Sequence, residues 1–356
     1  MGRNIVLCFD GTNNEYAAIN TNVVKLYAMV DKTRNGQITY YQPGIGTFAP
    51  PGVWGKLKKW LVTRLDLAVA WLLEEHVTDG YRFLMRYYQD GDRIFIFGFS
   101  RGAYTARALA GMLHKVGLLT QGNEELLPFA WSQYKSEKSR TVYTGFGDTF
   151  CRRVRVHFLG LWDTVSSIGW AWHPKYLQFT ANNPSVDIVR HAVSLDERRA
   201  YFVQNLWGDD PATGTDVLQV WFPGVHCDVG GGYIEREAGL SKIALNWVVG
   251  QAKTSGLRFQ PNLEAEIIPT VDNKYAAPNP AAPLHESLKG LWWIVEYLPK
   301  RIRDPAANFA PRWVIHRGQP RYLTDGSNIH ISVFERKKLV SSYRPSNLPS
   351  RFNQIT

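Results

Sequence analysis

Short runs of consecutive apolar residues alternate along the chain with longer stretches in which apolar positions recur every three or four residues. Residues 4–9, 39–42, 93–97, 154–161 and 217–222 are runs of the first kind, the pattern of strands buried on both faces. Residues 21–30, 65–88, 103–116 and 241–252 carry helical spacing. Residues 186–199, with Ile188, Val189, Ala192 and Val193 apolar, are assigned to a helix, with a short strand over residues 192–195 as the alternative. Residues 46–59, rich in Gly, Pro and aromatics, read as an irregular flap, and residues 119–153 as a polar connection of weak periodicity. Strands alternating with helices predict an α/β fold, a mostly parallel sheet with helices on both faces. The core is expected over residues 1–260. Residues 261–356, with more Pro and Trp and fewer periodic runs, are expected as a loop-rich C-terminal extension packed on it and available for a lid or pocket. In such sheets functional groups collect at the carboxyl ends of strands.

Composition narrows the function classes. Of 356 residues, 45% are hydrophobic and 20% charged, enough to bury a full core. The net charge of +10 favours anionic partners. Zinc-finger spacing, a long Lys/Arg run and a ribonucleoprotein-type signature are all missing, so a nucleic-acid partner is not expected. Basic charge together with 13 Trp, some paired (Trp170 and Trp172, Trp292 and Trp293), suits peripheral contact with an anionic membrane, and equally a large core. Cys8, Cys151 and Cys227 lack metal-ligand spacing and read as reduced thiols, so the chain is expected to be cytoplasmic as synthesised. The N-terminus runs straight into a strand without room for a signal peptide, which leaves signal-less export open. No run of 18 apolar residues is present.

The segment Gly98-Phe99-Ser100-Arg101-Gly102 matches G-x-S-x-G with a strand before it and an Ala-rich helix after it. That context is what the motif needs: the serine projects from a strained strand-to-helix turn, and the flanking glycines let backbone pack against it. A serine nucleophile requires a base and an acid to orient that base, in the order Ser, acid, His for this fold class. Downstream stand His114, His157, His173, His191, His226, His285, His316 and His330. His226 is favoured because it follows a strand directly, on the Gly-rich loop of residues 223–232. Asp163, closing the strand of residues 154–161, is the preferred acid, and Asp196 the alternative; Asp228 is expected to fix the loop through backbone bonds. Oxyanion donors are expected from the backbone N–H of Arg101 and from Gly11 or Thr12, with Asp10 holding that loop. A strand ending in Asp-Gly-Thr also suggests haloacid-dehalogenase-type phosphatases, but the nucleophile slot there is Cys8. The chemistry needs no cofactor and no metal.

These segments, with residues 9–14, 98–103, 162–165, 191–197 and 221–233 in this order, resemble the α/β-hydrolase family long described as a domain of unknown function. It includes the catalytic domains of phospholipase effectors delivered by bacterial type VI secretion. The resemblance covers about residues 3–300 and implies a triad at Ser100, Asp163 and His226. It also implies hydrolysis of carboxylic esters, in some members phospholipid acyl esters. A short-chain esterase and a catalytically silent binding module are the alternatives.

Overall fold

A computed structural model describes residues 2–11, 19–32, 36–44, 58–136, 140–165, 177–208, 214–290, 292–303 and 311–356. In chain order the elements are β1 (Asn4–Phe9), α1 (Asn22–Met29), β2 (Gln37–Gln42), α2 (Lys58–Tyr87), β3 (Arg93–Phe99) and α3 (Arg101–Lys115). There follow β4 (Leu118–Leu119), α4 (Leu127–Lys135), α5 (Arg140–Phe150), β5 (Cys151–Arg152), β6 (Val156–Trp162), β7 (Val186–Ser194) and β8 (Asp216–Phe222). The last part holds α6 (His226–Gly230), α7 (Gly239–Thr254), α8 (Pro261–Ile267), α9 (Trp292–Glu296), β9 (Lys300–Arg303), β10 (Pro311–Val314), β11 (Ser327–His330), α10 (Ile331–Leu339) and β12 (Phe352–Ile355).

Among the described residues, eight strands form one sheet in the order β12-β11-β8-β7-β6-β3-β1-β2, parallel at every pairing. The fold is α/β-hydrolase-like. Alternation along β1 shows how the layers are filled. Ile5, Leu7 and Phe9 point into a cluster with Leu73 and Val77 of α2 and Leu109 and Met112 of α3. Val6 and Cys8 point the other way, against Val23 and Leu26 of α1 and Leu245 and Val248 of α7. A period of two thus sends one strand's apolar residues to two helical layers. The winding reverses between β1 and β3, since β2 lies beyond β1 on one side and the later strands lie on the other. Doubly wound sheets bind ligands at such a reversal, above the carboxyl ends of the strands, here β1 and β3.

Three expectations change. Residues 186–194 are a strand, not a helix. The apolar pairs 188–189 and 192–193 mimic helical spacing, but β7 lies between β6 and β8, and its β-branched residues fit a strand covered on both faces. Residues 119–153 hold α4, α5 and a short antiparallel β4–β5 pair. Residues after 260 do more than pack on the core, because β11 joins the main sheet at β8 and β12 pairs with β11. The expected flap lies outside the described residues, except that its last two residues begin α2. All three cysteines are free thiols. Among the described residues, no helix is long and apolar enough to cross a membrane.

Candidate active site

The turn from β3 into α3 is strained. Ser100 has φ 58° and ψ −121°, a conformation that costs a non-glycine residue about 1–3 kcal/mol. The glycines around it leave room for nothing larger. A Cβ on Gly98 would stand 2.5 Å from the Gly102 carbonyl oxygen, and one on Gly102 would stand 2.2 Å from that of Phe9. The start of α3 therefore presses on the end of β1. The Ser100 N–H donates to the Trp162 carbonyl at 3.0 Å, which extends the β3–β6 pairing to the position before Asp163.

Asp163, also at positive φ (39°), follows β6, and its N–H donates to the Ala192 carbonyl of β7 at 2.7 Å. His226 opens α6 immediately after β8, where a bare loop was expected. The ends of β3 and β6, and of β8 one strand further on, thus deliver three side chains to one point. His226 Nε2 lies 2.8 Å from Ser100 Oγ, and Nδ1 lies 2.5 Å from Asp163 Oδ2. All three residues are buried, Asp163 completely. The imidazole packs between Phe99 and Phe202, with ring centroids 4.6 and 4.8 Å away. With the carboxylate ionised, Nδ1 carries the proton and donates it to Asp163, so the Nε2 lone pair faces the serine hydroxyl. In that arrangement the imidazole is placed to accept the serine hydroxyl proton.

Burial alone would raise the Asp163 pKa. The adjacent Arg321 guanidinium and the His226 hydrogen bond outweigh it, and hold the carboxyl well below the usual carboxylate range. Arg321 Nη1 donates to Asp163 Oδ1 at 2.5 Å and Nη2 to Oδ2 at 3.1 Å, while the Ser194 N–H donates to Oδ1 at 2.9 Å. Arg321 also donates to the Ser194 hydroxyl and to the Ser194 and Phe202 carbonyls. Nothing in the sequence pointed to it: it lies 158 residues beyond Asp163 in an aperiodic stretch. Glu197 was likewise missed, although it adjoins Asp196. It is fully buried and accepts the His226 N–H at 3.2 Å, hydrogen bonds from Arg199, and one from the Ser287 hydroxyl. Burial pushes its pKa up, but the Arg199 hydrogen bonds and charge bring it down to about 2.

The other candidates occupy neighbouring positions. Asp196 accepts the Gly224 N–H at 2.7 Å and the Tyr343 hydroxyl at 2.9 Å, tying the ends of β7 and β8 together without reaching the imidazole in the relay. Burial raises it to about 6. Asp228 accepts the Val225 N–H and pairs with His285 at 2.6 Å, so it fixes the loop through a side-chain partner as well as backbone. Asp10 is buried and accepts from Thr21, from Tyr41 and, at 2.7 Å, from the Gly11 N–H. The Gly11 amide, expected to face an oxyanion, donates here to its neighbour's carboxylate. Thr12 lies outside the described residues. Arg101 is the first residue of α3, where a backbone N–H has no intrahelical acceptor. His191, expected in a helix, is buried in β7; it accepts the Thr164 N–H at 3.1 Å and contacts Gln219, and burial lowers it to about 3. His157 contacts the Ser255 carbonyl and His114 the Ser185 hydroxyl. His173 is outside the described residues.

A family model described as the catalytic domain of Tle1-like phospholipase effectors of type VI secretion matches residues 3–251. The chain belongs to that family. Membership places this Tle1-like domain in the hydrolase class. The match takes in Ser100, Asp163 and His226 and ends before Arg321. An uncharacterized protein of Saccharomyces cerevisiae, YEL023C, is 26% identical, over 99% of this chain and 82% of the yeast protein. Two solved structures are similar to this chain. A crystal structure of an uncharacterized protein from Pseudomonas aeruginosa is 23% identical, TM-score 0.45, over 74% of this chain and 48% of that one. A Tle1 effector bound to the VgrG spike of a type 6 secretion system is 19% identical, TM-score 0.42, over 67% and 52%. The chain thus spans about half the length of each of these two structures.

Proposed function

We propose that this Tle1-like domain is a serine hydrolase that cleaves carboxylic esters, phospholipid acyl esters among them, through an acyl-Ser100 intermediate. The observation that carries the reading is the hydrogen-bonded chain Ser100–His226–Asp163 at the carboxyl edge of the sheet. His226 Nε2 takes the Ser100 proton as Oγ attacks the ester carbonyl carbon, and the carbonyl electron pair moves onto oxygen. The Arg101 N–H, without an intrahelical acceptor at the start of α3, donates to that oxyanion. Collapse of the tetrahedral species expels the alcohol, which receives the proton from His226. Water then attacks the acyl-serine with His226 as base, and Ser100 regains its proton as the acid leaves. Residues 1–260 are the catalytic core in this reading, and residues 261–356 complete it.

Two features favour an ester presented at a lipid surface. Phe202, which packs on His226, meets Trp292 of α9 with ring centroids 5.8 Å apart. Ile294, Tyr297 and Leu298, which follow Trp292 in the chain, are exposed, as are Trp313 and Tyr322; in this reading they form an apolar rim to the site. Exposed aromatics beside a basic chain suit an anionic membrane interface, to which the protein would bind peripherally.

A fluorophosphonate probe tests the reaction. Labelling of the wild-type protein and not of Ser100→Ala is expected. A folded wild type that resists labelling sinks the enzyme reading in favour of a silent binding module. Anionic phosphatidylglycerol vesicles and a soluble short-chain ester separate the substrates, and both should be hydrolysed. Turnover of the soluble ester alone would make the protein a short-chain esterase.

A further inference from the structure

The triad acid does not face His226 as a lone anion. Both of its oxygens are engaged by one guanidinium, which enters from a segment 158 residues away and is itself buried. We infer that Arg321 is a positioning residue: it locks the plane in which Asp163 meets His226, and it takes up part of the carboxylate charge that would otherwise hold the imidazole proton. This inference rests on the triad proposed above.

The charges around the ring can be enumerated. His226 meets Asp163 through Nδ1 and Ser100 through Nε2, packs against the rings of Phe99 and Phe202, and meets Glu197 through its backbone N–H. Glu197 is paired with Arg199 at 2.9 Å, and Asp163 with Arg321 at 2.5 Å. His191, on the neighbouring strand, is kept neutral by burial, and burial pushes the adjacent Cys227 thiol up to about 12. These two carboxylates are thus each balanced by a guanidinium. Proton transfer from Ser100 creates an imidazolium facing an ion pair. A bare carboxylate would attract the same proton more strongly and keep His226 protonated, and so unable to act as a base, to higher pH. The five hydrogen bonds made by the two Nη atoms also fix the carboxylate's rotation, which a lone Asp at a positive-φ turn would not guarantee.

The test is the NMR titration of the His226 ring, assigned by comparison with His226→Gln, in wild type, Arg321→Met and Arg321→Lys. In Arg321→Met the midpoint should rise by about one pH unit, and the acid limb of kcat/KM should move with it. Arg321→Lys keeps the charge and should titrate with wild type while losing rate. An unmoved midpoint in folded Arg321→Met overturns the inference, as does an equal rise in Arg321→Lys, which would trace the effect to packing. Leaving Asp163 buried without its partner is strongly destabilising, so Asp163→Asn is also compared with Asp163→Asn/Arg321→Met. The second removes both charges together, and its His226 midpoint should lie above that of the first; equal midpoints overturn the inference. The titration needs no turnover. Failure of fluorophosphonate labelling alongside the expected shift would therefore refute the catalytic reading and leave the charge coupling standing.

Discussion

Replacing Asp163 by Asn changes one oxygen to NH2 and removes one charge, and the surroundings dictate which way the amide points. Arg321 Nη1 and the Ser194 N–H both donate to the Oδ1 position, at 2.5 and 2.9 Å. The amide oxygen is favoured there, because the alternative sets NH2 against these two close donors, whereas at the Oδ2 position the one fixed donor it meets is Arg321 Nη2, at 3.1 Å. The NH2 then occupies the Oδ2 position, 2.5 Å from His226 Nδ1 in the wild type. It can only donate, so Nδ1 becomes the acceptor and the ring proton moves to Nε2, where it blocks removal of the Ser100 proton. Loss of the correct tautomer in a serine triad costs about 10³–10⁴ in rate, or roughly 4–5.5 kcal/mol of transition-state stabilisation. The Arg321 guanidinium is left buried without its carboxylate, which costs stability of order 3–5 kcal/mol. Steady-state hydrolysis of a soluble aryl ester, normalised to folded protein, measures the first effect, and urea unfolding measures the second. A folded Asp163→Asn enzyme within tenfold of wild type would refute the tautomer argument and return the acid role to Asp196. Asp196→Asn should stay within about tenfold, because Asp196 bonds Gly224 and Tyr343 and not the imidazole.

Gly102→Ala would set a methyl 2.2 Å from the Phe9 carbonyl oxygen; a loss of about 3 kcal/mol or failure to fold is expected by urea denaturation, and wild-type stability would mean that the turn has slack. His191 binds a proton in the unfolded chain below about pH 6.5 but in the folded chain only near 3. Its lowered value makes stability fall with acidity across that window, by about 2 kcal/mol between pH 6.5 and 5. The slope of calorimetric stability against pH should flatten in His191→Gln, and an unchanged slope would contradict the neutral assignment. Ile294 is 62% exposed on the apolar rim; Ile294→Asp should slow vesicle hydrolysis several-fold and spare a soluble ester, and equal effects on both would remove the rim from lipid contact. Ending the chain at residue 260 removes β11, β12 and Arg321 and uncovers the edge of β8. Insoluble or inactive protein is expected, whereas an active, monodisperse fragment would show that the core stands without the extension.

Much of the architecture is readable from local pattern. Buried parallel strands are uninterrupted apolar runs, so β1, β3, β6 and β8 stand out, and helices such as α3 and α7 declare themselves by period. Ser100 is visible for the same reason, since the glycines at 98 and 102 are a local steric requirement of its own turn. His226 and Asp163 could be nominated because each follows a recognisable strand. The failures share a cause. In β7 the helical spacing of residues 188–193 was a coincidence that only the flanking strands of the sheet override. The Gly11 amide looked available until the fold turned the Asp10 carboxylate onto it. Arg321 and Glu197 leave no local mark, because what defines them is a charge brought across the fold to a buried partner, Asp163 in one case and the backbone of His226 in the other. Periodicity and turn chemistry act over a few residues and are written in the chain; pairing of buried charges acts through space, and only the closed tertiary structure brings those groups together.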